Sequence, residues 1–169
     1  MLGQAVAAIT LMLLGASGIA KVVDPDPTVG ALRAANLPSS RLVSRTLGVV
    51  EMTAAILGLG GGPGALIPAV VLYAGFTLFT LAAIRGQIPV QSCGCFGRED
   101  TPPSLIHVIY NAVATFSLGW VALTDPTPVL ASATVSETVL FAGFALVGAY
   151  ASYLLLARLP LVLRPTVGS

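Results

Sequence analysis

Five apolar stretches, each close to twenty residues long and nearly free of charge, constrain this chain more than any motif in it. They cover residues 2–22, 42–59, 65–84, 104–123 and 136–156. At about 1.5 Å of rise per residue, a helix of about 20 residues crosses the roughly 30 Å hydrocarbon core of a bilayer, and a helix satisfies its own backbone there. Composition agrees: 56% of residues are hydrophobic and 9% charged, against roughly 25% charged in a soluble domain. The mean hydropathy is +0.92. The expected fold is all-α, a polytopic membrane helix bundle with a four-helix core and a fifth C-terminal transmembrane helix. The connections are too short for a second core, so residues 1–169 read as a single membrane domain in contact with the lipid bilayer. A net charge of +1 offers no footprint for nucleic acid. The first run has no Lys or Arg before Lys21 and is long for a signal peptide, so we expect it to be retained.

The punctuation between the runs is equally legible. Asp24-Pro25-Asp26-Pro27 ends the first span, because proline disfavours helix at the residue before it and donates no backbone hydrogen bond. Residues 28–37 suit a short surface helix, with Val29, Leu32 and Leu37 as apolar contacts and Arg33 toward head groups. Pro38-Ser39-Ser40 supplies a stop and caps for the second span. Gly58 to Gly64 is a charge-free reversal, and Pro68 is tolerated in the first turn of the third span. A polar connection, 87–103, follows Arg85 and Gly86, and Thr101-Pro102-Pro103 is expected to introduce the fourth span. After Asp125-Pro126-Thr127-Pro128, the spacing Thr134-Val135-Ser136-Glu137 is that of a capping box opening the fifth span. Gly15 and Gly18 in the first span, and Gly148 with Ser152 in the fifth, give small faces suited to close helix packing.

Few polar residues interrupt the spans. Glu51 lies about eight residues into the second, where a carboxylate must be protonated, face the bundle interior or meet a cation. Lys21, near the same membrane surface, is the candidate partner. The functional alternative is a proton- or redox-linked acid; a pin between the first two spans is simpler, since nothing else in the sequence suggests a proton pathway. His107 and Asn111 are four residues apart and share one helix face near the start of the fourth span.

All eight Lys and Arg residues fall on one side of a five-span topology. Lys21, Arg33, Arg41 and Arg45 are at the first connection, Arg85 and Arg98 at the third, and Arg158 and Arg164 in the tail. The positive-inside rule then puts the third connection and the tail in the cytoplasm.

That third connection contains Ser92-Cys93-Gly94-Cys95-Phe96-Gly97 and with it both cysteines of the chain. Two residues span at most about 7 Å, while a disulfide wants its Cα atoms about 4.4–6.8 Å apart, so an internal bridge needs a bent, strained backbone. Gly94 permits the bend, and strain suits an exchangeable couple better than a staple. A structural zinc site wants four ligands, and the connection and its surroundings offer two Cys and one His. We therefore expect no resident metal or cofactor. The bland alternative is that both cysteines are small apolar packing residues. For the redox alternative, His107 and Arg98 are candidate activators, since a nearby cation raises the thiolate fraction.

The string Cys93-Gly94-Cys95-Phe96-Gly97, with Gly15-Ala16-Ser17-Gly18-Ile19-Ala20-Lys21 ending the first span and Glu51 in the second, resembles the MauE family of methylamine utilisation proteins, within the wider DoxX-like superfamily. The resemblance covers about residues 2–123. It implies an integral protein of the bacterial plasma membrane linked to maturation of methylamine dehydrogenase, whose light subunit is rich in disulfides, alongside a thioredoxin-like partner. Cys93 and Cys95 carry over as the redox pair. With the connection on the cytoplasmic side, they would be kept as a dithiol by incoming electrons rather than act as an oxidant. A non-enzymatic membrane scaffold, using the cysteines for packing or metal, is the rival reading.

Overall fold

The computed structural model describes residues 2–90, 102–125, 127–129 and 134–159, and all its regular structure is helical. The elements are α1 Leu2–Val23, α2 Asp26–Ala34, α3 Arg41–Gly60, a 3₁₀ turn Pro63–Leu66, α4 Ile67–Ile84, α5 Leu105–Thr124 and α6 Val135–Ala157. Among the described residues, five helical segments are long and apolar enough to cross a membrane, and the chain is a multi-pass helical bundle.

Burial runs opposite to that of a water-soluble protein. The large apolar side chains Leu42, Ile56, Val71, Leu78, Phe116 and Leu123 lie on the outside, where lipid is as good a solvent for them as a core would be. The interior combines small residues, including Ala7, Ala8, Ala54, Ala69, Ala114 and Ala145, with the leucines Leu11, Leu14, Leu66 and Leu118 and a few polar side chains. Half of the α1 span is buried, against a third or less for each of the others, which makes α1 the central helix. It packs against α3, α5 and α6, while α4 packs along α5 more than along α3.

Glycines set how closely α1 approaches its neighbours. A Cβ at Gly18 would stand 2.5 Å from the Gly48 carbonyl oxygen, and one at Gly48 would stand 2.6 Å from that of Gly18. The two backbones therefore touch at this crossing, and no side chain fits between them. On another side, Gly148 of α6 is pressed against the Ile9 side chain.

Several helix ends depart from the sequence expectation for local reasons. The surface helix starts at Asp26, with Pro27 inside its first turn where a missing N–H is harmless. It ends on Asn36, at φ +56°, with Leu37 N donating to Leu32 O and Asn36 N to Arg33 O. That double bond is the Schellman closure, with asparagine in the left-handed position. Thr28 and Ala31 are the buried residues of α2, whereas Leu37 is exposed. Helix α3 continues through Gly60, so the reversal begins at Gly61. Ser104 holds the N-cap position of α5 in an extended conformation, without a side-chain bond to the helix backbone, and Thr101 lies outside the described residues. The box at α6 forms as spaced: Thr134 Oγ1 accepts from Glu137 N, and Thr134 N donates to Glu137 Oε2.

Because the spans alternate, the C-terminal ends of α1, α4 and α6 share one end of the bundle with α2 and the N-terminal ends of α3 and α5. Lys21, Arg33, Arg41, Arg45, Arg85 and Arg158 all belong to elements at that end. The α4–α5 connection leaves and re-enters there.

Candidate functional site

The polar interior at this end is assembled by helix direction. Side chains lean toward the N-terminus of their own helix, and α1 and α3 run antiparallel, so Lys21 and Glu51 lean toward each other. Lys21 Nζ donates to Glu51 Oε2 at 3.0 Å and to Ser17 Oγ at 2.6 Å. Both partners of the ion pair are buried, at 4% and 0% exposure. The ammonium also lies 5.6 Å from the centroid of the Phe76 ring, within range of a cation–π attraction. Glu51 Oε1 has no hydrogen-bond partner among the described residues, with the Ser17 hydroxyl as a near neighbour. The touching backbones at Gly18 and Gly48 make this meeting short enough for a direct bond.

Across α1, the first two turns of α5 bring in His107 and Asn111, both buried. They share a face and, with Ser17, Tyr73, Phe76 and Tyr110, line a chamber of about 30 Å³. Such a space accommodates one or two water molecules. His107 Nδ1 is 2.9 Å from the Ser104 hydroxyl, a bond that orients the imidazole from the start of its own helix. Tyr73 OH donates to the carbonyl of Thr10 at 2.7 Å, tying α4 to α1 where α1 has a threonine. The chamber thus joins α1, α4, α5 and, through Leu156, α6.

A second polar group lies just outside the interior. Ser44, fully buried, donates to the carbonyl of Pro25 at 3.2 Å and fixes the α1–α2 corner onto α3. Asp26 accepts two bonds from the Arg41 guanidinium, at 2.8 and 3.0 Å, on the exposed surface. The Arg41 bond to Asp26 holds its carboxyl below the usual carboxylate range.

The sequence-predicted residues therefore divide into three groups. Lys21 and Glu51 are in direct contact. His107 and Asn111 line the adjoining chamber, so His107 is an interior group and not an interfacial one. Cys93, Cys95 and Arg98 lie outside the described residues, in the connection between Val90 and Pro102. Ser17 and Tyr73 were not singled out from sequence. Ser17 stands four residues before Lys21, the same spacing that linked His107 with Asn111, and that signal could have found it. Tyr73 carries no such cue in an apolar run. Among the described residues no cluster of His, Cys, Asp and Glu could hold a metal ion.

Comparison with known proteins identifies a family. No curated protein and no solved structure is matched. The sequence model of methylamine utilisation protein MauE matches residues 1–124, from the start of α1 to the end of α5. With nearly three quarters of its length matched, including both cysteines and every polar residue lining the chamber, the chain belongs to the MauE family.

Proposed function

We propose that this membrane protein is a thiol–disulfide maturation factor in which Cys93 and Cys95 form the exchanging pair. The observation that carries the reading is the seat of their connection. It returns to the bundle at Pro102 and Ser104, and Ser104 is bonded to the buried His107. In sequence, Cys95 stands nine residues before Ser104 and three before Arg98.

In the reaction, one cysteine thiolate attacks a sulfur of a client disulfide, forming a mixed disulfide and releasing a client thiolate that takes up a proton. The second cysteine, as thiolate, then displaces the other client sulfur. Two electrons pass to the client, whose disulfide becomes a dithiol, while Cys93 and Cys95 become the disulfide. A thioredoxin-like protein restores the pair by the same exchange in reverse. His107 and Arg98 act by favouring the thiolate. Charge bias supports a cytoplasmic setting for this chemistry, in the bacterial plasma membrane, and methylamine dehydrogenase is the client the family name suggests.

One observation favours the rival scaffold reading: His107, Asn111, Lys21 and Glu51 are all buried, as residues that hold helices together would be. Replacing both Cys93 and Cys95 with Ser separates the two. Loss of thiol exchange in a normally assembled membrane protein supports the redox role, and an unaltered redox state of every partner rules it out. A membrane-impermeant maleimide added to reduced intact cells should leave these thiols unlabelled. Ready labelling would move the connection to the outer face.

A further inference from the structure

Two polar side chains of the interior chamber have bonding capacity that the described residues do not meet. His107 and Asn111 are 3% and 7% exposed, and both line the chamber. The Ser104 hydroxyl takes Nδ1 of His107. A neutral imidazole carries a donor on one ring nitrogen and an acceptor on the other, so Nε2 calls for a partner in either tautomer. It has none among the described residues. The Asn111 carboxamide has none there either, since Asn111 bonds Thr115 through its backbone carbonyl.

These groups open onto space and are not sealed in protein. Among the described residues, the enclosed side-chain atoms that lack a partner are Glu51 Oε1 and the Tyr110 hydroxyl, which has Ser152 as a near neighbour. His107 Nε2 and the Asn111 carboxamide lack partners without being enclosed, so a water-sized sphere reaches them. At about 30 Å³ the chamber suits one or two waters and nothing larger. A buried amide left unpaired forfeits its solvation, and a water restores it.

We infer that the chamber is a specific binding site for water, held by His107 Nε2 and the Asn111 carboxamide. Four residues along α5 separate the two ligands by about 5–6 Å on one face. Two hydrogen bonds of about 2.9 Å laid end to end through one water oxygen cover that gap. Ser17, on α1, is a further polar wall of the same space. The water gives the imidazole a second acceptor. A protonated ring has two N–H donors; Ser104 Oγ accepts from Nδ1, and the water accepts from Nε2. A proton on the buried ring is then solvated at both ends, which lets His107 carry the charge that thiol exchange asks of it. That role rests on the thiol-exchange proposal. The water site is defined by interior groups alone and stands without it.

His107 is the single histidine of the chain, so histidine labelled with a heavy nitrogen isotope marks one imidazole. The test places the labelled full chain in lipid bilayers and follows magnetisation transfer from water protons to the two ring nitrogens by solid-state NMR. We expect transfer to Nε2 ahead of Nδ1. Asn111→Leu puts an apolar side chain into the chamber and should abolish the transfer to Nε2, while the His107 backbone amide, labelled from the same source, reports that α5 is still helical. Leu14→Phe fills the space from α1 and should give the same loss. Ser104→Ala should shift the Nδ1 resonance and keep the transfer to Nε2. No transfer to Nε2 in the unaltered chain, or transfer that survives in a folded filling variant, would overturn the assignment. Neither readout involves Cys93 or Cys95, so failure here and failure of thiol exchange are told apart.

Discussion

Two ion pairs brace α3 against the segment before it, and they differ in almost everything except length. Lys21–Glu51 joins α1 to α3 at 3.0 Å in the interior; Asp26–Arg41 joins α2 to α3 at 2.8 Å with both side chains more than half exposed. Water can solvate either exposed group if its partner is lost, and it screens their attraction. The interior pair has no such refuge. Each of its members makes the other tolerable, so its value lies chiefly in the damage done by removing one.

That contrast can be broken most sharply at Lys21. Lys21→Met alone should cost about 3–5 kcal/mol of folded-state stability, because it strands a buried carboxylate. Adding Glu51→Leu should restore most of the loss. Thermal unfolding in detergent measures both, and a single variant as stable as the double would show that the pair does not hold the crossing. Next in size is Gly18→Val. Its Cβ would meet the Gly48 carbonyl at 2.5 Å, so the helices must separate, at about 1–3 kcal/mol. The same separation lengthens the Lys21–Glu51 contact, so combining Gly18→Val with the double variant should be milder than the sum of their costs. The smallest effect belongs to the surface. Asp26→Asn should leave the melting temperature almost unmoved at neutral pH. Since Arg41 lowers the Asp26 pKa in the folded protein, what the pair contributes is present above the unfolded carboxylate pKa and disappears as pH falls through the lower folded value. A melting curve that weakens above the usual carboxylate range would not come from this pair.

How far these features could be read beforehand depends on whether their cause is local. The capping box at Thr134 and Glu137 was legible because both bonds lie within four residues. The meeting of Lys21 and Glu51 was legible for another reason: a charge inside a span must find a partner, and few were available. Local cues failed where two neighbouring residues could each do the same job. Thr101 and Ser104 are both plausible caps, but the helix starts only at Leu105, after both prolines, with Ser104 in the N-cap position. In the glycine-rich reversal, composition marked the turn without showing that α3 keeps its hydrogen bonds through Gly60. The lipid-facing recess beneath α2 was out of reach altogether. It is lined by residues of α1, α2, α3 and α4, so no one stretch of sequence carries it. The close approach at Gly18 and Gly48 was half visible, since the small face on α1 was evident and its counterpart on α3 was not.

The contact between Gly148 and Ile9 has a consequence for how this bundle is put together. The family match stops at Thr124, yet α6 covers a flank of the central helix beyond that point. In water, uncovering such a flank would expose apolar surface to a hostile solvent. In a bilayer, removing α6 would replace Ala145 and Ala149 with acyl chains, one hydrocarbon neighbour for another. Away from Leu156, which helps wall the polar chamber, the flank of the fifth span is therefore one that lipid could cover, while the crossing at Gly18 and Gly48 has no lipid substitute.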